Sequence, residues 1–391
     1  MEIIIEKLIP GGQALATLDD GKKAFFWNAL PGETVTDFKI TKQKSHFLEA
    51  IAVKIERPSK YRAKPKDSCF LATSPWQIFD FNYELEQKRA LVEESLIQEH
   101  LDLNDLTIEP VKTDNNPYFY RNKMEYALYY NHDLAKIQLA FHARGSHGKF
   151  PIDQSSLERP EIFARAQAIV DELNHNHDEA RRYQSLLLRA SQHGEVSGGL
   201  FENKKPHPTF QNLKDQILGQ TYSYSPNGFF QINLPVYELA LKEIAKEITT
   251  DQVLDLYAGV GTIGLSVAGD KDLTLVEVNG AAFEELKNNC QGTTAKPVLA
   301  KSEDALEYIA PDQTVILDPP RAGCDKKLIE KLLEVKPEKV IYLSCNPATQ
   351  ARDIKLLTET EKYQITRVAP FNFFPRTPHI ENLIVLTRKS A

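Results

Sequence analysis

The 391-residue chain holds only four cysteines, Cys69, Cys290, Cys324 and Cys345, at irregular spacing. In a chain of this size they do not look like a disulfide framework, and they read as free thiols. Long hydrophobic runs are also missing: nowhere do about 18 apolar residues follow one another, so no segment reads as a membrane-spanning helix. The opening MEIIIEKLIPGG is interrupted by charges and lacks a signal peptide's layout, which makes the cytoplasm the expected compartment. Nor is there an overall basic excess, since the net charge of -7 argues against a protein coated in positive surface. The charge is unevenly spread, however. Residues 1–66 carry ten lysines and two arginines against eight acidic residues, a net +4, which leaves the remainder at -11. A basic front on an acidic body permits a polyanionic partner. The length allows two or three domains, and no internal repeat or low-complexity segment stands out.

Residues 1–56 read as short strands separated by turns: EIIIEKL, GQALATL, a turn at Asp20-Gly21, AFFWNAL, a turn at Pro31-Gly32, then strands around VTDFKI and FLEAIAVKI. About five strands in this length suit a small OB-type barrel, a shape that often binds oligonucleotides. Lys22, Lys23, Lys42 and Lys44, with one of Phe25, Phe26 or Trp27, are candidates for its binding face, although strand alternation must bury half of the aromatics. The layout resembles a TRAM domain, an RNA-binding module. Residues 57–68, RPSKYRAKPKDS, form a basic linker or ridge that could grip phosphates or simply be solvated.

Leu85, Leu91, Val92, Leu96 and Ile97 predict a helix over 83–100. Residues 117–157 and 183–202 are strand-rich, with a helix between them starting near Pro160. This region has no chemical motif, but Arg121, Asn122, Lys123, Arg144 and His147 are polar candidates for a substrate groove. After Gly228 strand and helix alternate, through strands VLDLY, LTLVEV, VLA, TVILD and KVIYLS, which predicts a doubly wound parallel sheet. The final NLIVLTRK is expected to add an antiparallel edge strand. The expected organisation is α/β: an OB-type barrel over 1–60, a β-rich RNA-binding unit over 61–220 and a Rossmann-like unit over 221–391.

Four features of that last unit lie at strand ends along one sheet edge. Gly259-Val260-Gly261-Thr262-Ile263-Gly264 follows VLDLY and opens a helix, so backbone N–H groups can meet a ligand at a helix N-terminus. Glu277 ends the next strand, 18 residues after Gly259, where a carboxylate can accept hydrogen bonds from ribose hydroxyls. A nucleoside cofactor fits, and NAD and S-adenosylmethionine both satisfy this half-site. Asp318-Pro319-Pro320-Arg321 closes TVILD with a carboxylate and a rigid turn. Cys345 lies just past the run VIYLS and in front of a helix, where open α/β sheets put their ligands, and is the candidate nucleophile. A helix N-terminus or a nearby cation would favour its thiolate. Glu381, in Thr377-Pro378-His379-Ile380-Glu381, precedes the last strand and could return to the same edge as a general base.

DLYAGVGTIG, ILDPPRAG, YLSCNPATQARD and FPRTPHIE, in this order behind a TRAM-like unit, resemble the RNA uracil-C5 methyltransferase family, which makes 5-methyluridine in tRNA and rRNA. SPNGFFQIN, with Gln231, is similar to that family's cofactor-binding segment and YRNKMEY to part of its central domain, so the likeness spans nearly the whole chain. The resemblance implies a Rossmann-like methyltransferase domain using S-adenosylmethionine, with Cys345 adding to C6 of uracil and Glu381 removing the C5 proton after methylation. It implies that Gln231, Tyr257, Gly259, Glu277 and Asp318 hold the cofactor, with Asp318 also facing the base. The partner would be tRNA or rRNA, with the uridine flipped out or in a loop; no membrane is involved and a monomer is expected. Many members hold an iron–sulfur cluster on four cysteines. Here CFLATSPWQIFDF keeps only Cys69, and Ser155 stands where the fourth ligand is expected, so neither cluster nor other metal is expected. Two rivals stay open: RNA cytosine-C5 methylation, disfavoured because DPPR lacks a Pro-Cys pair, and a non-catalytic RNA-binding protein, against which the joint presence of Cys345 and Glu381 speaks.

Overall fold

The computed structural model describes residues 2–103, 106–146, 148–176, 182–203, 205–207 and 210–389; the groove candidate His147 lies outside them. The first six strands make one sheet, in the order Ile3–Ile4, Thr34–Gln43, Phe47–Arg57, Lys23–Trp27, Ala14–Thr17, Lys7–Leu8. Alternation selects its inside: Ala24 and Phe26 are buried, and Lys23, Phe25 and Trp27 take the other face. Neither outer ring is bare, since Phe25 meets Phe47 edge-on and the Arg144 guanidinium lies 4.1 Å from the Trp27 ring centroid. The basic linker is also partly consumed by the fold. Arg62 Nε and Nη2 donate to the buried Glu33 carboxylate at 2.6 and 2.7 Å, whereas Lys64 and Lys66 are exposed.

A second sheet, antiparallel throughout, has the order Lys205–His207, Val196–Glu202, Ser185–Ala190, Lys123–Asn131, Lys136–His142, Lys149–Pro151. Helix Pro160–His175 covers it through Ile162, Ala166, Ile169 and Val170.

The third sheet runs Lys296–Leu299, Asp272–Glu277, Gln252–Leu256, Gln313–Leu317, Lys339–Ser344, Glu381–Arg388, Tyr363–Phe371, and the first five of these are parallel. Its central strands are apolar on both faces because helices cover both. Helices Leu234–Glu247, Thr262–Val267 and Gly280–Asn289 pack on one side. Lys326–Val335, Pro347–Thr358 and the much earlier Phe81–Gln98 pack on the other. That early helix joins two cores: Leu91 belongs to the barrel's, and Val92 and Leu96 to the third sheet's.

One expectation is corrected here. NLIVLTRK is antiparallel but not at the edge, since Glu381–Arg388 is inserted between Lys339–Ser344 and Tyr363–Phe371 and pairs antiparallel with both. Its first six residues are all buried, as an interior strand requires. The outer strand, with Arg367 and a mixed burial pattern, gave a weaker signal in the sequence. Its free side is shielded by residues 108–112, where Glu109 N–H donates to Val368 O at 3.0 Å and Lys112 N–H to Pro370 O at 2.9 Å.

The barrel is seated against the turn before Glu381. At Gly12 (φ +87°) a Cβ would fall 2.1 Å from Pro378 Cβ, and the Gly12 carbonyl accepts from Trp76 Nε1 at 3.0 Å. Gly12→Ala is therefore expected to push the barrel off this turn and to cost roughly 1–3 kcal/mol of stability. Thermal denaturation checks it, and an unchanged midpoint would show that the contact is slack.

Candidate active site

Glu277, Gly259, Asp318 and Cys345 reach one edge of the third sheet because each lies at or just past the carboxyl end of a parallel strand. Neighbouring strands are about 4.8 Å apart, so the four follow one another in short steps. Glu381 joins them because its strand is antiparallel and begins where the others end. Ser344 pairs with Asn382, and one further step in that register sets Cys345 opposite Glu381. Two mutual amide bonds hold this arrangement: Gln350 Nε2 donates to Asn382 O at 2.9 Å and Asn382 Nδ2 donates to Gln350 Oε1 at 2.8 Å.

Electrostatics in this corner favour neutral groups. Burial first, then the Glu381 and Asp318 carboxylates, push the half-buried Cys345 thiol up to about 11, against the opposing pull of Arg321. The expected thiolate is therefore not the resting form, because desolvation outweighs the cation. Burial and the proximity of Asp318 hold the Glu381 carboxyl well above the usual range, and burial raises Asp318 to about 7. Arg321, to which sequence reasoning gave no role, is the cation of the site; its place immediately after Asp318-Pro319-Pro320 was the available signal. Its Nη2 lies 3.2 Å from His379 Nδ1. Burial and the charges of Arg321, Lys88, Arg121 and Arg144 hold His379 down at about 4, so at neutral pH the imidazole accepts from Arg321. A cavity of about 80 Å³ opens here between Cys345, Arg321 and His379 on one side and Pro10, Gly11 and Leu91 on the other. A larger cavity, about 590 Å³ beside His100, Lys355 and Lys389, lies at the far end of the sheet and touches no candidate residue.

The glycine motif divides its labour. A Cβ at Gly259 would meet open space, whereas at Gly261 it would fall 2.5 Å from Leu286 Cδ1 and at Gly264 2.8 Å from Asp255 Oδ2. The first glycine leaves room for a ligand and the other two permit close packing. Glu277 Oε2 accepts from Gly259 N–H at 2.8 Å and Oε1 from Asn279 N–H at 2.6 Å, leaving lone pairs for a ribose. An open backbone beside a fixed carboxylate fits a nucleoside. Asp255 went unnoticed in the sequence: fully buried, it accepts from Gly264 N–H at 2.8 Å through Oδ2, its Oδ1 is unpartnered, and burial raises it to about 7. Tyr257 has a left-handed backbone (φ +65°), and its ring packs into the core on the face opposite the glycine-rich helix. Gln231 is buried on a segment pinned at two points, its carbonyl accepting from Asn122 Nδ2 at 3.0 Å and Asn233 Nδ2 donating to Phe373 O at 3.2 Å.

The loop that delivers Glu381 is held by a buried charge cluster. Lys88 and Glu84, one helical turn apart and without solvent exposure, lie 3.1 Å from each other. Lys88 Nζ donates to Asn372 Oδ1 at 2.6 Å and Phe374 O at 3.0 Å, and Glu84 Oε1 accepts from Arg376 N–H at 3.0 Å. Such a cluster is a poor source of stability, but its hydrogen bonds fix residues 372–376.

Around Cys69 the donors do not fit a four-thiolate cluster. Burial pushes its thiol up to about 11, and its Sγ lies 3.9 Å from Gln154 O. Ser155 Oγ and Tyr126 OH donate to Glu158 at 2.5 and 2.6 Å, and Asp67 accepts from Gln77 Nε2 and Ser156 Oγ. Cys290 and Cys324 belong to the third sheet's two cores.

Residues 1–53 match the family model for the TRAM domain, and residues 284–389 that for tRNA (uracil-5-)-methyltransferases. The protein thus carries a tRNA (uracil-5-)-methyltransferase domain behind a TRAM domain. An RNA methyltransferase of Lactiplantibacillus plantarum is 28% identical over 452 residues, covering 100% of this chain and 97% of that protein. One of Lactobacillus johnsonii is 29% identical over 430 residues, 94% of each. The crystal structure of a Pyrococcus abyssi tRNA (uracil-54, C5)-methyltransferase in complex with S-adenosyl-L-homocysteine has the same fold, with a TM-score of 0.77 at 24% identity over 99% of this chain and 100% of that one. The protein is an S-adenosylmethionine-dependent RNA methyltransferase with an N-terminal TRAM barrel, as the sequence motifs implied.

Two titrations follow from these environments. Alkylation of Cys345 by iodoacetamide, read by peptide mass spectrometry, is expected to rise with a midpoint near 11, lowered by Glu381→Gln and raised by Arg321→Met. A wild-type midpoint at the ordinary thiol value of about 8.5 would contradict it. Folded Asp255 keeps its proton to about 7 while the unfolded chain releases it near 3.8, so stability should fall as pH rises across that window. Asp255→Asn should flatten the slope in denaturant titrations.

Proposed function

We propose that the protein methylates C5 of a uridine in tRNA or rRNA through a covalent adduct at Cys345. The observation that supports this most is the pairing of Ser344 with Asn382, which brings Cys345 and Glu381 side by side, with Asp318 just past the end of the adjoining strand and both carboxyls acting on the thiol. S-adenosylmethionine supplies an electrophilic methyl group. On uridine binding the Cys345 thiol gives its proton to Asp318, which is part-ionised at neutral pH, and its sulfur bonds C6, driving the C5=C6 electron pair onto C5. C5 then forms the bond to the methyl carbon as that carbon's bond to the donor's sulfonium sulfur breaks, the electron pair staying on sulfur. Glu381, ionised in the substrate complex, takes the C5 proton, the C5=C6 bond re-forms and the C6–S bond breaks with its electron pair on sulfur, which regains the proton held by Asp318 and frees Cys345. Raised carboxyl values suit this work, since a carboxylate that holds its proton more tightly is a stronger base. Gly259 and Glu277 bind the nucleoside end of the donor, with Gln231 and Asp318 toward the transferred group and Tyr257 shaping the turn by its backbone. The 1–60 barrel and the 61–220 unit bind the RNA. tRNA is the first substrate to test, because the Pyrococcus abyssi neighbour is named for it.

Cys345→Ala is expected to abolish methyl transfer while S-adenosylmethionine affinity stays within about twofold, since the thiol acts only on the base. Glu381→Gln should accumulate an RNA–protein adduct resistant to denaturing electrophoresis. Nucleoside mass spectrometry of RNA treated with the wild type should show 5-methyluridine; 5-methylcytidine in its place would sink the assignment.

A further inference from the structure

Phe119 combines two features that seldom occur together. Its backbone is left-handed (φ +55°), a conformation bulky side chains avoid, and the residue is 41% exposed. Strain that burial does not reward points to work at the surface. The neighbours hold the residue in place. Phe119 N–H donates to Ser156 O at 2.8 Å, Tyr120 OH donates to Pro375 O at 3.0 Å, and the Arg376 guanidinium stands 5.1 Å from the Tyr118 ring centroid. Three residues on, Asn122 N–H donates to Ile232 O at 3.0 Å. Phe119 therefore sits on the rim between the loop leading to Glu381 and the segment of Gln231. Lys66, exposed on the linker, places Nζ 4.5 Å from the Phe119 centroid and 4.9 Å from that of Tyr118.

We propose that Phe119 and Lys66 form a subsite for an unpaired nucleotide flanking the target uridine, its base stacked on Phe119 and its phosphate paired with Lys66. The inference rests on the RNA-methylation reading above. An exposed ring accepts any base by its π-face, but only a base freed from pairing can reach it. The ammonium fixed beside the ring meets the phosphate that every nucleotide brings, and Arg121, Arg144 and Arg321, whose charges converge on His379, extend the cationic ground toward the active site.

Fluorescence anisotropy tests this with a labelled RNA hairpin bearing a uridine-containing loop and with a blunt duplex of the same stem. Phe119→Gly removes the ring where glycine adopts the backbone without strain, so the fold should hold. It is expected to weaken hairpin binding about tenfold and duplex binding hardly at all, while Phe119→Trp stays near wild type. Lys66→Ala should lower the slope of log affinity against log salt by about one on the hairpin. Hairpin binding unchanged in Phe119→Gly, or an equal loss on hairpin and duplex, would overturn the subsite. Methyl transfer is measured separately: a protein that shows the expected binding losses but methylates no RNA would overturn the proposed function and leave the subsite standing.

Discussion

The antiparallel pairing of Glu381–Arg388 with Lys339–Ser344 is the constraint on which the candidate active site depends. A parallel strand in that position would have begun at the other end of the sheet, taking Glu381 far from Cys345. Insertion in the opposite sense brings two residues 36 positions apart in sequence just past the last pair, Ser344 with Asn382, where the Glu381 charge acts on the Cys345 thiol. The Gln350–Asn382 amide pair then locks helix Pro347–Thr358 over both strands.

Desolvation sets the character of the chemistry. The same enclosure that presses Cys345, Asp318 and Glu381 together raises all three, so the resting corner carries little charge. Reaction therefore waits on the substrate, whose arrival changes both solvation and the proton acceptors within reach. Arg321 tempers this by opposing the rise at Cys345 and Glu381, and it is itself oriented through a neutral His379. Support comes from well outside the methyltransferase sheet: Glu84 and Lys88 hold the loop from below, and the barrel's Gly12 closes on Pro378 from the side.

Much of the fold was legible because its signals are local. Alternating strand and helix after Gly228 announced the doubly wound sheet, and short strands between Gly and Pro turns announced the barrel. The outer strand Tyr363–Phe371 was missed because an edge strand with mixed burial carries little periodicity. Helix Phe81–Gln98 was legible as a helix, but no local pattern told that its Leu91 and Val92 enter different cores. Asp255 escaped notice inside an apolar strand, since its meaning lies in the Gly264 N–H across the turn.

The sequence by itself determined the methyltransferase and TRAM domains, the glycine turn, and the identity of Cys345, Asp318 and Glu381 as groups placed at strand ends, because each is encoded within a few neighbouring residues. Only the tertiary structure decided that Cys345 faces Glu381, that Arg62 is spent inside on Glu33, and that the resting thiol keeps its proton. Those outcomes depend on strand order and on how much water packing removes, both of which arise from contacts between segments remote in the chain.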